Sequence, residues 1–156
     1  MTAVDARIDH LAIAQSYATA PEQWPVAPRF NPAERWYHRL AVQDEYEAWL
    51  LTWLPGQATD LHDHGGSAGA FQVYAGTLTE DTVTADLGTP RIVARELGEG
   101  AGRRFGGRHI HRITNRSTRP AISIHVYGPA LTTMTRYRID TGGLAVVTVE
   151  RAGVQW

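Results

Sequence analysis

The stretch Gly56-QATDL-His62-Asp63-His64-GGSA-Gly69-AFQVYA-Gly76 holds the densest chemistry in the chain. On an extended segment, residues i and i+2 point to the same side, so His62 and His64 present two imidazoles to one ion while Asp63 faces away. Asp63 is therefore not read as a ligand. The glycines that frame the pair argue against a merely solvated polar loop.

Outward from this block the chain reads as β-structure. From Trp36 onward, short segments rich in Val, Ile, Thr, Tyr and Trp alternate with Gly, Pro, Asp or Asn, predicting strands over 36–42, 46–54, 70–75, 77–84, 91–97, 108–114, 121–127, 133–139 and 144–150. Most connections are too short for helical crossovers, which favours antiparallel pairing in a barrel or sandwich. Before the strands, Ile8, Leu11, Ile13 and Ala14 mark one amphipathic helix over 5–19, ending at a Pro-containing stretch. No repeat or low-complexity segment is found.

The bulk numbers agree with one globular domain. The 156 residues are 43% hydrophobic and 20% charged, with a formal net charge of −1. A chain of this size buries roughly 68–70% of its unfolded surface, enough for a true core. Residues 1–156 are read as a single domain, with 1–35 forming a helical and extended segment that packs on the barrel. The charge carries no basic runs, so neither nucleic acid nor an anionic membrane is an expected partner. No apolar run reaches the roughly 18 residues that span a bilayer, and the start MTAVDARIDH has no signal-like pattern, so the cytoplasm is the expected location. With no cysteine, any metal must sit on His, Asp, Glu or water. The tryptophans Trp24, Trp36, Trp49, Trp53 and Trp156 are read as packing residues.

The glycine and histidine spacing G-x5-H-x-H-x4-z-x6-G resembles the first motif of the cupin superfamily, where z is usually a metal-binding glutamate. Here z is Gly69, so no carboxylate ligand is carried over. Of the second cupin motif, the terminal H-x3-N survives as His111-Arg112-Ile113-Thr114-Asn115, which makes His111 the third candidate ligand. His109, two residues earlier on the same expected strand face, competes for that role, and the H-x3-N spacing favours His111. Three neutral imidazoles suit Fe(II), Zn(II), Cu or Ni, and ligand type does not choose among them. Three protein ligands leave positions open for a substrate and a co-substrate, whereas structural zinc sites are closed.

The segment Ala121-Ile122-Ser123-Ile124-His125-Val126-Tyr127-Gly128-Pro129 alternates strictly, putting Ser123, His125 and Tyr127 on one face and Ile122, Ile124 and Val126 on the other. Beside the two histidine motifs, this S-x-H-x-Y-x-P pattern closely resembles the thiol dioxygenases, the cysteine dioxygenase branch of the cupins, and in particular their bacterial members. The resemblance runs from about Trp36 to Pro129.

It implies an all-β, jelly-roll-like cupin barrel with an N-terminal helix. It implies Fe(II) on His62, His64 and His111, with Ser123, His125 and Tyr127 as a hydrogen-bonded row beside the metal. The activity it implies is oxidation of L-cysteine by O2 to cysteine sulfinic acid, by a monomer whose partners are a small thiol and O2. Animal members carry a cysteine at the position of Gly69, crosslinked to the tyrosine matching Tyr127; here Tyr127 works without it. Arg39, in Trp36-Tyr37-His38-Arg39-Leu40, falls where the family holds the substrate carboxylate and points to cysteine rather than 3-mercaptopropionate. Rival readings are a dioxygenase for another small thiol, a non-catalytic metal-binding cupin, and a zinc or nickel isomerase or hydrolase.

Overall fold

The structure, a computed structural model, describes residues 7–86 and 89–151. One helix, α1 (His10–Ala18), precedes eleven strands: β1 (Tyr37–Val42), β2 (Glu47–Trp53), β3 (Leu61–His62), β4 (Ala68–Ala75), β5 (Leu78–Asp86), β6 (Thr89–Leu97), β7 (Gly102–Phe105), β8 (His111–Thr114), β9 (Ala121–Gly128), β10 (Thr133–Asp140) and β11 (Gly143–Arg151). They form two antiparallel sheets, one of order β1-β2-β9-β4-β7 and the other β11-β10-β3-β8-β5-β6. The all-β, jelly-roll-like barrel with an N-terminal helix is borne out.

Strand β9 lies at the middle of the first sheet, and its period-two pattern separates two environments. Ile124 and Val126 join Ala48, Leu50 and Ala14 of α1 in one apolar cluster, so the helix closes the outer face of the sheet. Ser123, His125 and Tyr127 turn into the barrel, where Trp53, Phe71, Leu78, Phe105 and Ile113 belong to the main core. A polar strand face inside a barrel must find its hydrogen bonds there, because water is excluded.

The helix start, one strand and the strand number differ most from expectation. The helix starts at His10 rather than 5, because the Asp9 side chain accepts the backbone N–H groups of Leu11 (3.1 Å) and Ala12 (3.2 Å) and caps it, leaving Ile8 outside. Residue 5 and Trp156 lie outside the described residues. The expected strand 108–114 shortens to His111–Thr114, since residues 106–109 turn, with His109 N–H donating to the Gly106 carbonyl (3.2 Å). Strands β3 and β7 add to the nine expected.

Candidate metal centre and active site

His62 and His111 face each other across the β3–β8 ladder, and the turn after β3 swings His64 into the same space. Gly65 and Gly66 make that turn with φ of +60° and +92°, and a Cβ at Gly65 would collide with the Thr133 carbonyl. Asp63 points outward as expected, its Oδ1 accepting from Gly65 N (3.1 Å) and Thr135 N (3.0 Å) and its Oδ2 from the Tyr137 hydroxyl (2.7 Å). The three imidazoles have ring centroids 4.8–5.0 Å apart, and one nitrogen from each lies within 4.8 Å of the others.

All three are buried, and burial pushes each below the usual histidine range, so each is neutral with a lone pair to offer. His62 Nδ1 lies 2.7 Å from the Asp60 carbonyl, and His111 Nδ1 lies 2.7 Å from Glu80 Oε2. An acceptor oxygen at each Nδ1 fixes the proton there and leaves Nε2 unprotonated. Among the described residues, His64 has no hydrogen-bond partner on either nitrogen. A buried imidazole without a partner is costly, and an ion at the centre of the triangle removes that cost. The residues present therefore fit a metal ion.

His109 sits apart from this triangle. Its Nε2 is 3.1 Å from the same Glu80 oxygen that meets His111, and its ring stacks on Phe105 (5.2 Å). Glu80, His109 and His111 also form a group able to hold an ion. There, however, Arg103 forms an ion pair with Glu80.

Beside the triangle runs the polar face of β9. The Trp53 indole donates to Ser123 Oγ (2.9 Å), Ser123 Oγ lies 2.8 Å from His125 Nε2, and His125 Nδ1 lies 3.4 Å from the Tyr127 hydroxyl. An indole N–H only donates, so Ser123 accepts it and is left to donate its own proton to His125 Nε2. His125 then carries its proton on Nδ1, facing the Tyr127 oxygen. Burial holds His125 down at about 3 and pushes Tyr127 well above the usual phenol range, so both stay neutral. The Tyr127 ring lies 5.2 Å from that of His64, which puts the phenol next to the histidine triangle.

Gly69 faces Phe105 across the β4–β7 ladder, and a Cβ at Gly69 would collide with the Val126 carbonyl and meet the Phe105 ring at 2.8 Å. Phe105 stacks on His64 at 4.5 Å. The place that a carboxylate or thiol at position 69 would need is thus filled by an aromatic wall.

Arg39 lies half-exposed on the edge strand β1, its guanidinium over the Trp49 ring (5.7 Å) and 4.0 Å from Glu47 Oε2. Arg35, which the sequence did not single out, projects inward instead. It lies over the Trp53 ring at 5.2 Å, its buried Nη1 has no hydrogen-bond partner among the described residues, and its charge acts on His62, His125 and Tyr127. Burial lowers it to about 10, which leaves it cationic at neutral pH. It also lines an open groove of about 840 Å3 with Tyr37, Gln57, Asp60, Arg136 and Glu150. Asp60, whose carbonyl meets His62 Nδ1, lines the same groove.

Comparison with known proteins follows the same direction. Residues 2–139 match the family model described as cysteine dioxygenase type I. Cysteine dioxygenase type 1 of Homo sapiens is 26% identical over 149 residues, covering 88% of this chain and 72% of the human protein. That of Bos taurus is 26% identical over 142 residues, covering 84% and 69%. Among solved structures, a Klebsiella pneumoniae protein with a double-stranded β-helix domain aligns with a TM-score of 0.52 at 17% identity, over 92% of this chain and 99% of that one. A Thermus thermophilus protein aligns with a TM-score of 0.57 at 22% identity, over 66% and 90%. At these identities the two structures speak to the fold alone.

Proposed function

Because the chain belongs to the cysteine dioxygenase type I family, we propose that it is a cytoplasmic, monomeric thiol dioxygenase that uses Fe(II) and O2 to oxidise L-cysteine to cysteine sulfinic acid. His62, His64 and His111 hold the iron, and Ser123, His125 and Tyr127 serve the reaction beside it. The observation that carries this reading is a buried triangle of neutral imidazoles with a directed hydrogen-bond row at its flank. Neither a storage site nor a structural metal site requires that row.

Bound iron supplies open coordination positions and electrons for joining a thiol, R–SH, to O2 as a sulfinic acid, R–SO2H, both oxygens ending on sulfur. The chain supplies orientation. Three neutral ligands bring no negative charge of their own, so the site favours the thiol in its anionic form. Tyr127 keeps its hydroxyl proton and presents it toward the reacting groups, while Ser123 and His125 fix its direction from behind. Phe71 and Phe105, buried in the barrel, keep bulk water from the imidazoles.

Two arginines compete for the substrate carboxylate. Arg39, expected from sequence, must leave Glu47 to reach it. Arg35 already aims an unpartnered nitrogen inward, and we assign the carboxylate to it. A guanidinium binds a carboxylate through charge-assisted bonds that are frequently bidentate, which gives geometry as well as energy. Arg35→Gln is expected to raise KM for cysteine at least tenfold with little effect on cysteamine, which has no carboxylate. The same split in Arg39→Gln, and not in Arg35→Gln, would return the role to Arg39.

The decisive experiment loads the protein anaerobically with Fe(II) and measures oxygen uptake with cysteine, cysteamine and 3-mercaptopropionate side by side. Cysteine is expected to give the highest kcat/KM, with sulfinate as product. Preference for 3-mercaptopropionate would move the substrate to that acid. No uptake with any thiol would sink the dioxygenase reading and leave a metal-binding module.

A further inference from the structure

Glu80 lies on β5 beside the three-histidine triangle, is fully buried, and takes no part in the function just proposed. It lies in phase with Leu78 on a stretch of β5 buried on both faces, where an ionised carboxylate is expensive unless it is paired and hydrogen-bonded. Three groups do this. Oε2 meets His111 Nδ1 at 2.7 Å and His109 Nε2 at 3.1 Å, and Arg103 forms an ion pair with Oε1.

We infer that Glu80 is a positioning residue that sets the tautomer and orientation of His111 and thereby the affinity and ligand field of the metal centre. The inference rests on the metal reading of the site. An ionised carboxylate accepts and never donates, so His111 carries its proton on Nδ1 and turns Nε2 toward His62 and His64. An anionic partner also makes the imidazole a stronger donor than a neutral carbonyl does. Arg103 balances the charge, so this effect reaches the ligand without leaving a net negative charge beside it. The three ligands are therefore unequal. His62 is steered by a backbone carbonyl, His64 by stacking between Phe105 and Tyr127, and His111 by a side chain. Within the triangle, only the His111 contact to a steering oxygen can be removed by mutation while the ligand itself is kept.

His109 shares the Glu80 oxygen and fixes it from the other side, its ring held flat against Phe105. It acts as a brace on the carboxylate, so removing it leaves the His111 contact in place.

The test compares Glu80→Ala, Glu80→Gln and His109→Phe with the unaltered protein. Fe(II) affinity is read by competition with a chelator, and the ligand field by the visible spectrum of the Co(II)-substituted protein. Circular dichroism and thermal unfolding of the metal-free protein report the fold. Loss of an outer partner of a metal-bound histidine typically lowers affinity 10- to 100-fold, and Glu80→Ala should fall in that range with a changed Co(II) spectrum. Glu80→Gln, which keeps the shape and one acceptor oxygen, should recover part of the affinity. It carries the test if the alanine variant does not fold. His109→Phe should stay within about threefold of the parent and keep its Co(II) spectrum.

Parental affinity and spectrum in folded Glu80→Gln and Glu80→Ala would overturn the inference. So would a loss in His109→Phe as large as in Glu80→Ala, because Glu80 would then act through His109. Two ions per chain would overturn it as well, since Glu80, His109 and His111 would themselves be ligands. If the parent binds iron but oxidises no thiol, the dioxygenase reading fails while these affinity measurements still decide the role of Glu80.

Discussion

At position 69 the absence of a side chain is a steric requirement as much as a chemical one. A Cβ there would run into the Val126 carbonyl and the Phe105 ring, so Gly69→Cys or Gly69→Glu must displace strand β9 or β7. Overpacking of this kind costs about 1–3 kcal/mol, and thermal unfolding of either variant should report a lower Tm. Neither variant should regain a ligand or a crosslink. Tyr127 makes the opposite case, in which an atom rather than a shape matters. Tyr127→Phe should leave iron stoichiometry intact and lower kcat at least tenfold, as expected for a donor that acts during turnover. Rates near those of the parent would remove Tyr127 from the chemistry. Between the two candidate third ligands, His111→Ala should lose stoichiometric iron and His109→Ala should keep it; the reverse pattern would exchange their roles.

At the scale of elements, what could be read in advance depended on whether neighbours along the chain carried the signal. Strand β9 announces itself, since three apolar and three polar residues alternate without interruption. Strand β3 has two residues, and its partners are His111, Arg136 and Tyr137, far along the sequence. His62 and His64 were legible from spacing and glycines, but not the ladder that sets His62 opposite His111. Strand β7 was hidden because Arg103 and Arg104 follow each other without alternation. Arg35 and Phe105 join the site only through cross-strand packing, so no local pattern marked them. Glu80 did leave a trace, an acidic residue in phase with Leu78 on a strand. The turn that carries His64 gives a test at this scale. Asp63→Ala leaves the Gly65 and Thr135 N–H groups and the Tyr137 hydroxyl without their acceptor. The expected loss is about 2 kcal/mol of stability, read by denaturant unfolding, together with weaker iron binding.

For the molecule as a whole, the barrel interior is a store of neutral histidines. His125 is held near 3 by burial, against about 6.5 in an unfolded chain. As pH falls, protons bind the unfolded chain first, so the stability that His125 contributes is complete above about 6.5 and is lost progressively toward 3. The full span is worth on the order of 5 kcal/mol. His62 and His64, also lowered by burial, act in the same sense. The Tm of the metal-free protein, followed by calorimetry, should be level above pH 7.5 and decline below 6.5. An unchanged Tm between pH 7 and pH 5 would contradict this account.

The indole that heads the Ser123 row gives the site an optical window. Trp53 is fully buried, hydrogen-bonded at one edge and faced by the Arg35 guanidinium, with its ring 6.4 Å from that of His125. Its emission should therefore be blue-shifted, dimmed by an ion bound among the histidines, and altered again when a carboxylate draws Arg35 away. Comparison with a Trp53→Phe variant isolates that component from the other tryptophans. Metal loading and substrate entry then become two separable fluorescence titrations that can be followed without oxygen.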